Sequence, residues 1–578
     1  MDKRQFLTGN QAIARGAWEA GVKVACAYPG TPSTEIVEEI DKLEDISSEW
    51  SVNEKVAYEV AYGAALSGSR AVVCMKQVGL NVAADPFFTS IYTGVNAGLV
   101  LVCADEPGVF SSQNEQDNRN YGPFARIPIL EPADSEECRL FMKEAFEISE
   151  RFDTPVMIRL TTRVCHTHTI TGLNIREEVK KHEYKKDARK RSMIPIYALK
   201  RHEIVEERIR ELKKFNEEFA CNKIFQGTRK DLCIISSGMA SQHVLEVAED
   251  ISILKLAMSY PMPDDLIGDF CSEYEKVLVV EENDDFIYNN ILRIINKEKV
   301  IKKPDHMRVD ELNPDRVRRI LDENIDNTSS DNTKQDDLSL PPRPPQMCPG
   351  CPHRAAFYLL RKYKYTITGD IGCYGLGVLP PFEAMDTIIC MGASVSMAHG
   401  FDKGNKDAVG VIGDSTFFHT GINSLINSYY NNGRSAVVIL DNSITAMTGG
   451  QVNPSSEKTK TRSVSIENVV RSIGIEDVRV IDAYDYNKLD KEIKALKDRE
   501  DLRVLIVRQP CVLIRKDRPS KPLFIDKEEC IRCGICLKVG CPAISVDQEK
   551  RPFIIGSFCF GCGVCKSVCP KGAIKDGE

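Results

Sequence analysis

Eight of the 21 cysteines in this 578-residue chain fall into two runs near its end. The first reads Cys530-x-x-Cys533-x-x-Cys536-x4-Cys541-Pro542, the second Cys559-x-x-Cys562-x-x-Cys565-x3-Cys569-Pro570. Such runs hold paired 4Fe–4S clusters: three thiolates on one tight loop bind three irons, and the fourth cysteine crosses to the other cluster. Cys530, Cys533, Cys536 and Cys569 then hold one cluster, and Cys559, Cys562, Cys565 and Cys541 the second. Structural zinc is the competing use of closely spaced cysteines, and the doubled run favours clusters. Clusters carry single electrons, so a source of electrons is expected elsewhere in the chain.

A second constellation supplies a candidate. Val411-Ile412-Gly413-Asp414-Ser415 reads as an apolar strand running into a helix start, and 27 residues separate Asp414 from Asn442 in Leu440-Asp441-Asn442-Ser443-Ile444. Strand ends of parallel α/β sheets are where ligands sit, and a helix N-terminus offers N–H groups and a positive dipole end to phosphate. Asp414, Asn442 and a nearby carbonyl are hard oxygen donors suited to Mg²⁺ with diphosphate oxygens completing the octahedron. The pattern resembles the thiamine diphosphate signature, with Ser415 where a third glycine is usual, and that resemblance implies the Ile444 carbonyl as the third protein ligand. Turn chemistry is the competing explanation for an isolated Gly-Asp…Asn pair.

Thiamine enzymes also need a carboxylate against the aminopyrimidine. Asn53-Glu54-Lys55 opens a helical stretch, and Glu54 stands nine residues before a small residue, Gly63, the family spacing. The alternative is a surface glutamate favoured at a helix N-terminus by the dipole.

These residues need a scaffold of parallel sheets. VKVACAYPG, RAVVCMKQ, AGLVLVCAD and PVMIRL, then DLCIISSGMAS and EKVLVVEEN, then DTIICMGAS, AVGVIGDST and SAVVILDNS are apolar throughout and separated by helix-length segments. Strands without alternation imply parallel sheets covered on both faces. The expected fold class is therefore α/β and multidomain: three parallel-sheet α/β domains and a small cysteine-rich tail. A charged stretch from about 174 to 226 reads as a connecting segment with a helix marked by Ile204, Ile209 and Leu212. The polar, proline-rich stretch 324–346 reads as a linker.

Composition narrows the function classes. A formal net charge of −8 gives no support to nucleic-acid binding. The opening residues lack a signal-peptide apolar stretch, and no apolar run approaches the ~18 residues that cross a bilayer. A soluble, cytoplasmic protein without a membrane partner is expected, in a compartment where cysteines stay reduced.

Longer motifs sharpen the resemblance: Ala27-Tyr28-Pro29-Gly30-Thr31-Pro32-Ser33, Val78-Gly79-Leu80-Asn81, Ser111-Ser112-Gln113-Asn114-Glu115-Gln116-Asp117, Cys348-Pro349-Gly350-Cys351-Pro352-His353, Gly369-Asp370-Ile371-Gly372-Cys373 and Thr445-Ala446-Met447-Thr448-Gly449-Gly450-Gln451. With the two cysteine runs, they make the chain resemble the 2-oxoacid:ferredoxin oxidoreductases over nearly its whole length, and among them the large (alpha) subunits that act on indolepyruvate. The resemblance implies a thiamine pyrimidine-binding domain over 1–175, a charged connecting segment over 176–226, a transketolase-C-terminal-like domain over 227–323, a linker over 324–346, a thiamine diphosphate-binding domain over 347–523 and a two-cluster ferredoxin domain (α+β) over 524–578. It implies a third, proximal 4Fe–4S cluster on Cys348, Cys351, Cys373 and Cys511, contact of Thr31 with the substrate carboxylate, and close approach of Gly392 to diphosphate. An N-cap is the alternative for Thr31, and a core cysteine for Cys511. Asn114 and Gln116 either line the substrate pocket or satisfy a polar loop.

The activity implied is oxidative decarboxylation of an aryl 2-oxoacid to aryl-acetyl-CoA and CO2, with reduction of external ferredoxin. Coenzyme A and a beta subunit carrying the missing gamma-type domain, in an α2β2 assembly, come with that resemblance. A non-oxidative thiamine decarboxylase and an electron-transfer subunit with a degenerate thiamine site are the rival functions. The nine remaining cysteines read as small core residues.

Overall fold

The computed structural model describes residues 4–184, 186–325, 345–457, 462–497, 501–515, 517–518 and 520–577. Most of the expected linker lies outside the described residues. The chain divides into two compact units, Met1–Asp337 and Leu338–Glu578.

In the first unit the main sheet has seven strands, in the order Met258–Tyr260, Ile129–Leu130, Val156–Thr161, Leu99–Asp105, Ala71–Lys76, Val24–Ala27, Ser47–Trp50. All neighbours are parallel except the first pair. Leu99–Asp105 and Val156–Thr161 are buried along their whole lengths, as the unbroken apolar runs predict. A second sheet has five strands, four of them parallel, with Lys223–Phe225 added antiparallel at its edge. The strand Met258–Tyr260 comes from the segment that follows Ser252–Leu256 of the second sheet, yet it pairs with the first.

The charged stretch contains the helix Pro195–Glu217. Its inward residues are Val205, Arg208 and Leu212, while Ile204 is exposed. Buried arginines set this face: Arg208 donates to the Ile91 carbonyl at 2.7 Å and Arg201 to that of Tyr92 at 2.6 Å. No helix among the described residues is long and apolar enough to cross a membrane.

In the second unit six parallel strands run Thr387–Ile388, Ile367–Gly369, Val409–Gly413, Ala436–Asp441, Arg503–Arg508, Val478–Asp482. The tail adds two short antiparallel pairs, Leu523–Ile525 with Ile574–Asp576 and Ile544–Val546 with Pro552–Ile554. Val539, Cys541, Cys562, Val564 and Val568 of the tail pack in one apolar cluster with Met347, Cys351 and Ala355. The tail is thus seated on the start of the parallel-sheet domain.

Candidate functional site

In the second unit, four successive neighbouring strands deliver the expected ligands at one edge. Gly369 leads to Cys373, Gly413 to Asp414, Asp441 to Asn442 and Ile444, and Arg508 to Cys511. The oxygen donors occupy the two middle positions and the cysteines the two outer ones.

Asp414 and Asn442 are buried. The Asn442 Oδ1 lies 2.7 Å from the Ile444 carbonyl oxygen and 3.2 Å from Asp414 Oδ1. Three oxygens face one another there. Turning the amide over would convert both contacts to hydrogen bonds. A dication among the three would satisfy them as they stand, and their spacings straddle the roughly 2.9 Å edge of an octahedron with metal–oxygen bonds near 2.05 Å. In either arrangement the other side of the carboxylate fixes its orientation. Asp414 Oδ2 already accepts from Asn453 Nδ2 at 3.0 Å and Ser455 Oγ at 2.9 Å, which aims Oδ1 at the amide. Burial, and then the charge of Asp441, push the Asp414 carboxyl well above the usual carboxylate range. A carboxylate that is costly to charge alone suits an arriving cation, so the donor set fits Mg²⁺. No spacing marks Asn453 or Ser455, since a nonperiodic loop brings them back.

Gly413 and Gly392 shape the same edge. A Cβ on Gly413 would meet Tyr374 Cε1 at 2.4 Å. Gly392 has φ +84° and a Cβ there would meet Thr420 Oγ1 at 2.1 Å. Its N–H donates to Asp370 Oδ1 at 2.9 Å, and the Ser394 N–H to Asp370 Oδ2 at 3.0 Å, so this helix start directs these N–H groups to an internal carboxylate. Ser415 Oγ accepts from Thr445 Oγ1 at 2.8 Å. His353 is buried, edge-on to Tyr374 with ring centres 6.0 Å apart.

The cysteines gather in three sets. Burial raises the thiol pKa of Cys351 to about 12 and of Cys373 to about 11, and neighbouring thiols add to it: Cys373 and Cys348 on Cys351, Cys511 and Cys348 on Cys373. In the tail, Cys536 is raised by burial and then by Cys530, Cys533 and Cys569. Cys565 is raised by burial, then chiefly by Cys562, Cys541 and Cys559. The fourth cysteine of each run does lie with the opposite trio. Cys530, Cys533, Cys536 and Cys569 line one small pocket together with Ile525, Ile535 and Ile574. Grouped thiols in apolar surroundings cannot all ionise without a cationic centre, so the three sets fit iron–sulfur clusters. No three His, Cys, Asp or Glu side chains among the described residues are drawn together as around a single ion. Of the nine remaining cysteines, seven are buried, Cys221 is half-buried and Cys390 is exposed.

In the first unit, Glu54 opens the helix Glu54–Leu66, capped by Asn53, whose side chain accepts from the Val56 N–H at 2.9 Å. It is 5% exposed, not a surface glutamate. Gly79 makes room for it: a Cβ there would lie 2.7 Å from Glu54 Oε1. A Cβ at Gly63 would meet nothing within 4 Å. Thr31 follows the carboxyl end of Val24–Ala27, and the cap position of the next helix belongs to Ser33, not Thr31. Lys76 stands close by, its Cγ 3.1 Å from where a Gly30 Cβ would be. Its ammonium lies 3.4 Å from Ser111 Oγ and 3.9 Å from Glu106. Burial lowers the Lys76 pKa while Glu106 and Glu54 push it up. Lys76 and Glu106 escaped the sequence reading, although both stand where strands of the sheet end. Gln116 Nε2 donates to Asn114 Oδ1 at 2.6 Å, and Asn81 Nδ2 to Gln116 Oε1 at 3.0 Å.

Comparison with known proteins follows these divisions. The family described as "Pyruvate flavodoxin/ferredoxin oxidoreductase, thiamine diP-bdg" matches residues 15–217, "Thiamine pyrophosphate enzyme, C-terminal TPP binding domain" matches 370–507, and "4Fe-4S binding domain" matches 552–575. The indolepyruvate oxidoreductase subunit IorA of Methanothermobacter marburgensis is 40% identical over 604 residues, covering 99% of this chain and 97% of that protein. The chain belongs to the IorA family. The IorA subunit of Thermococcus kodakarensis is 38% identical, covering 100% of this chain and 98% of its own. Membership makes the chain an oxidoreductase subunit with thiamine diphosphate-binding regions and a 4Fe–4S domain.

Proposed function

We propose that the chain is the catalytic subunit of an enzyme that oxidatively decarboxylates aryl 2-oxoacids of the indolepyruvate type, delivering electrons to ferredoxin and the acyl group to coenzyme A. Asp414, Asn442 and the Ile444 carbonyl hold Mg²⁺ and through it the diphosphate. Bound thiamine supplies the electron sink that lets the substrate lose CO2. Glu54 holds and returns a proton at the aminopyrimidine, work for which a buried carboxylate is suited. Thr31 receives the substrate carboxylate. Gly413, Ser415 and Gly392 form the floor under the diphosphate. Cys348, Cys351, Cys373 and Cys511 would hold a cluster able to accept single electrons, and the eight tail cysteines would hold two more that lead toward ferredoxin.

The observation that carries this reading is the row of strand ends on which the oxygen donors stand between Cys373 and Cys511. An electron source with no adjacent carrier would fit a simple decarboxylase, whereas this row joins the two. The substrate class rests on the indolepyruvate named for the IorA relatives, and a partner subunit on the word subunit in those names; the α2β2 assembly is what the family resemblance implies.

The test is an anaerobic assay of the chain co-expressed with its partner subunit, using indolepyruvate, phenylpyruvate, 4-hydroxyphenylpyruvate, pyruvate and 2-oxoglutarate with coenzyme A and ferredoxin. Arylacetyl-CoA with reduced ferredoxin is expected from the aryl substrates. Free aldehyde with unreduced ferredoxin would contradict the proposal.

A further inference from the structure

The helix His353–Lys362 carries a cation where its dipole least favours one. Arg354 lies in the first turn, next to the positive end of the macrodipole, and is only 2% exposed. A buried charge is costly unless it is paired, yet Arg354 forms no ion pair with a carboxylate among the described residues. Its partners are backbone carbonyls on two loops. Nε and Nη2 each donate to the Cys348 carbonyl at 3.1 Å, and Nη2 also to that of Met347. Nη1 donates to the carbonyls of Val539, at 3.3 Å, and Gly540. Met347 and Cys348 begin the proposed proximal loop, and Gly540 immediately precedes Cys541, a proposed tail ligand.

The fork therefore ties one cluster loop to the other. The set it reaches is the one containing Cys541 and Cys562, which share an apolar cluster with Met347 and Cys351. Gly350 and Phe560 reinforce the seam: a Cβ on Gly350 would lie 2.4 Å from Phe560 Cβ. Burial pulls the Arg354 pKa down, and the sulfurs of Cys541, Cys351, Cys562 and Cys348 push it back up.

We infer that Arg354 is a positioning residue that clamps the proximal cluster loop to the adjoining tail loop and, as the buried cation shared by both clusters, raises the reduction potential of each. The inference rests on the proposed function. One electron leaves the proximal cluster, which is oxidised by one unit, and enters the cluster on Cys559, Cys562, Cys565 and Cys541, which is reduced by one. No proton or group moves with it. A fixed positive charge stabilises the more negative, reduced state of either cluster, and holding two backbone loops on one rigid guanidinium fixes the gap the electron crosses.

The experiment is a redox titration followed by electron paramagnetic resonance on the holoenzyme with its partner subunit, comparing wild type, Arg354→Gln and Arg354→Lys, with iron measured in each. The glutamine variant is expected to weaken one-electron reduction of the proximal and adjoining clusters at least tenfold, equivalent to about 59 mV, while the third cluster moves less than threefold. The lysine variant, which keeps the charge, is expected within threefold of wild type at every cluster. Unchanged potentials in the glutamine variant at full iron content would overturn the inference, as would an equal shift in both variants. If the glutamine variant loses iron, the lysine variant decides: potentials within threefold support the inference and a tenfold fall overturns it. A wild-type enzyme lacking the proximal cluster would instead overturn the function on which the inference rests, and the iron measurement separates the two failures.

Discussion

The backbone N–H of Cys511 donates to the carbonyl oxygen of Asn442 at 3.0 Å. One residue is a proposed ligand of the proximal cluster and the other a proposed ligand of the diphosphate metal. Their strands, Arg503–Arg508 and Ala436–Asp441, run parallel and in register, with Asp441 opposite Arg508. Arg508 Nε meets Asp441 at 2.6 Å and its Nη1 meets Glu467 at 2.6 Å. The sheet ladder therefore continues past the strand ends and sets the distance between the proposed metal ligand and the proposed cluster ligand.

Asp414→Asn should separate binding from folding. Its buried carboxylate repels Asp441 in the absence of a cation, so removing the charge should leave the cofactor-free protein at least as thermally stable as wild type. Magnesium-dependent thiamine diphosphate binding should weaken by about 100-fold, or roughly 2.7 kcal/mol. Calorimetric titration and a thermal melt check both halves.

Glu54→Gln should lower ferredoxin reduction by about 10² to 10⁴, the usual contribution of a positioned acid–base group, with cofactor affinity within a few-fold of wild type. Gly79→Ala should reproduce part of that loss with the carboxylate still present, because its new methyl would press on Glu54 Oε1. Steady-state rates with calorimetry in parallel distinguish these effects from a failure to bind.

Arg119 is fully buried between Asp117, at 2.5 Å, and Glu281, at 2.7 Å. It joins the loop after the central strand Leu99–Asp105 of the first sheet to the second sheet. Arg119→Leu leaves Glu281 without its ion-pair partner and Asp117 with only the longer contact to Arg159, at 3.6 Å, and should cost about 3–5 kcal/mol. The readout is the unfolding transition of the first unit in urea.

His243 gives the first unit an acid weakness. Burial, and then Arg163, lower its pKa to about 4, and its Nε2 has no hydrogen-bond partner among the described residues. Because the folded pKa lies below the unfolded value near 6.5, the unfolded chain takes up the proton first as pH falls. Stability is then lost between pH 6.5 and 4, by about 3 kcal/mol in full. His243→Gln should show a smaller drop in melting temperature than wild type between pH 7.5 and 5. Equal drops would contradict this.

The α/β class was legible because strands buried on both faces, such as Leu99–Asp105, are apolar at every position. The candidate donors Asp414 and Asn442 were legible because each directly follows a strand. What escaped notice has no period. Lys76 and Arg354 act through position in space rather than through spacing, and Asn453 and Ser455 return along an irregular loop. Met258–Tyr260 crosses to the first sheet through register alone. Ile204 matched the helical spacing yet faces solvent, because Arg201, Val205, Arg208 and Leu212 set the inner face of its helix.

The central claim is that the cofactor site and a proximal cluster are built on one sheet edge. Iron per chain, measured on anaerobically reconstituted wild type and Cys511→Ala, tests it most directly. The account predicts about twelve irons in wild type, from three 4Fe–4S clusters, and about eight in the variant with the tail clusters intact. About eight in wild type, or no loss in Cys511→Ala, would contradict it.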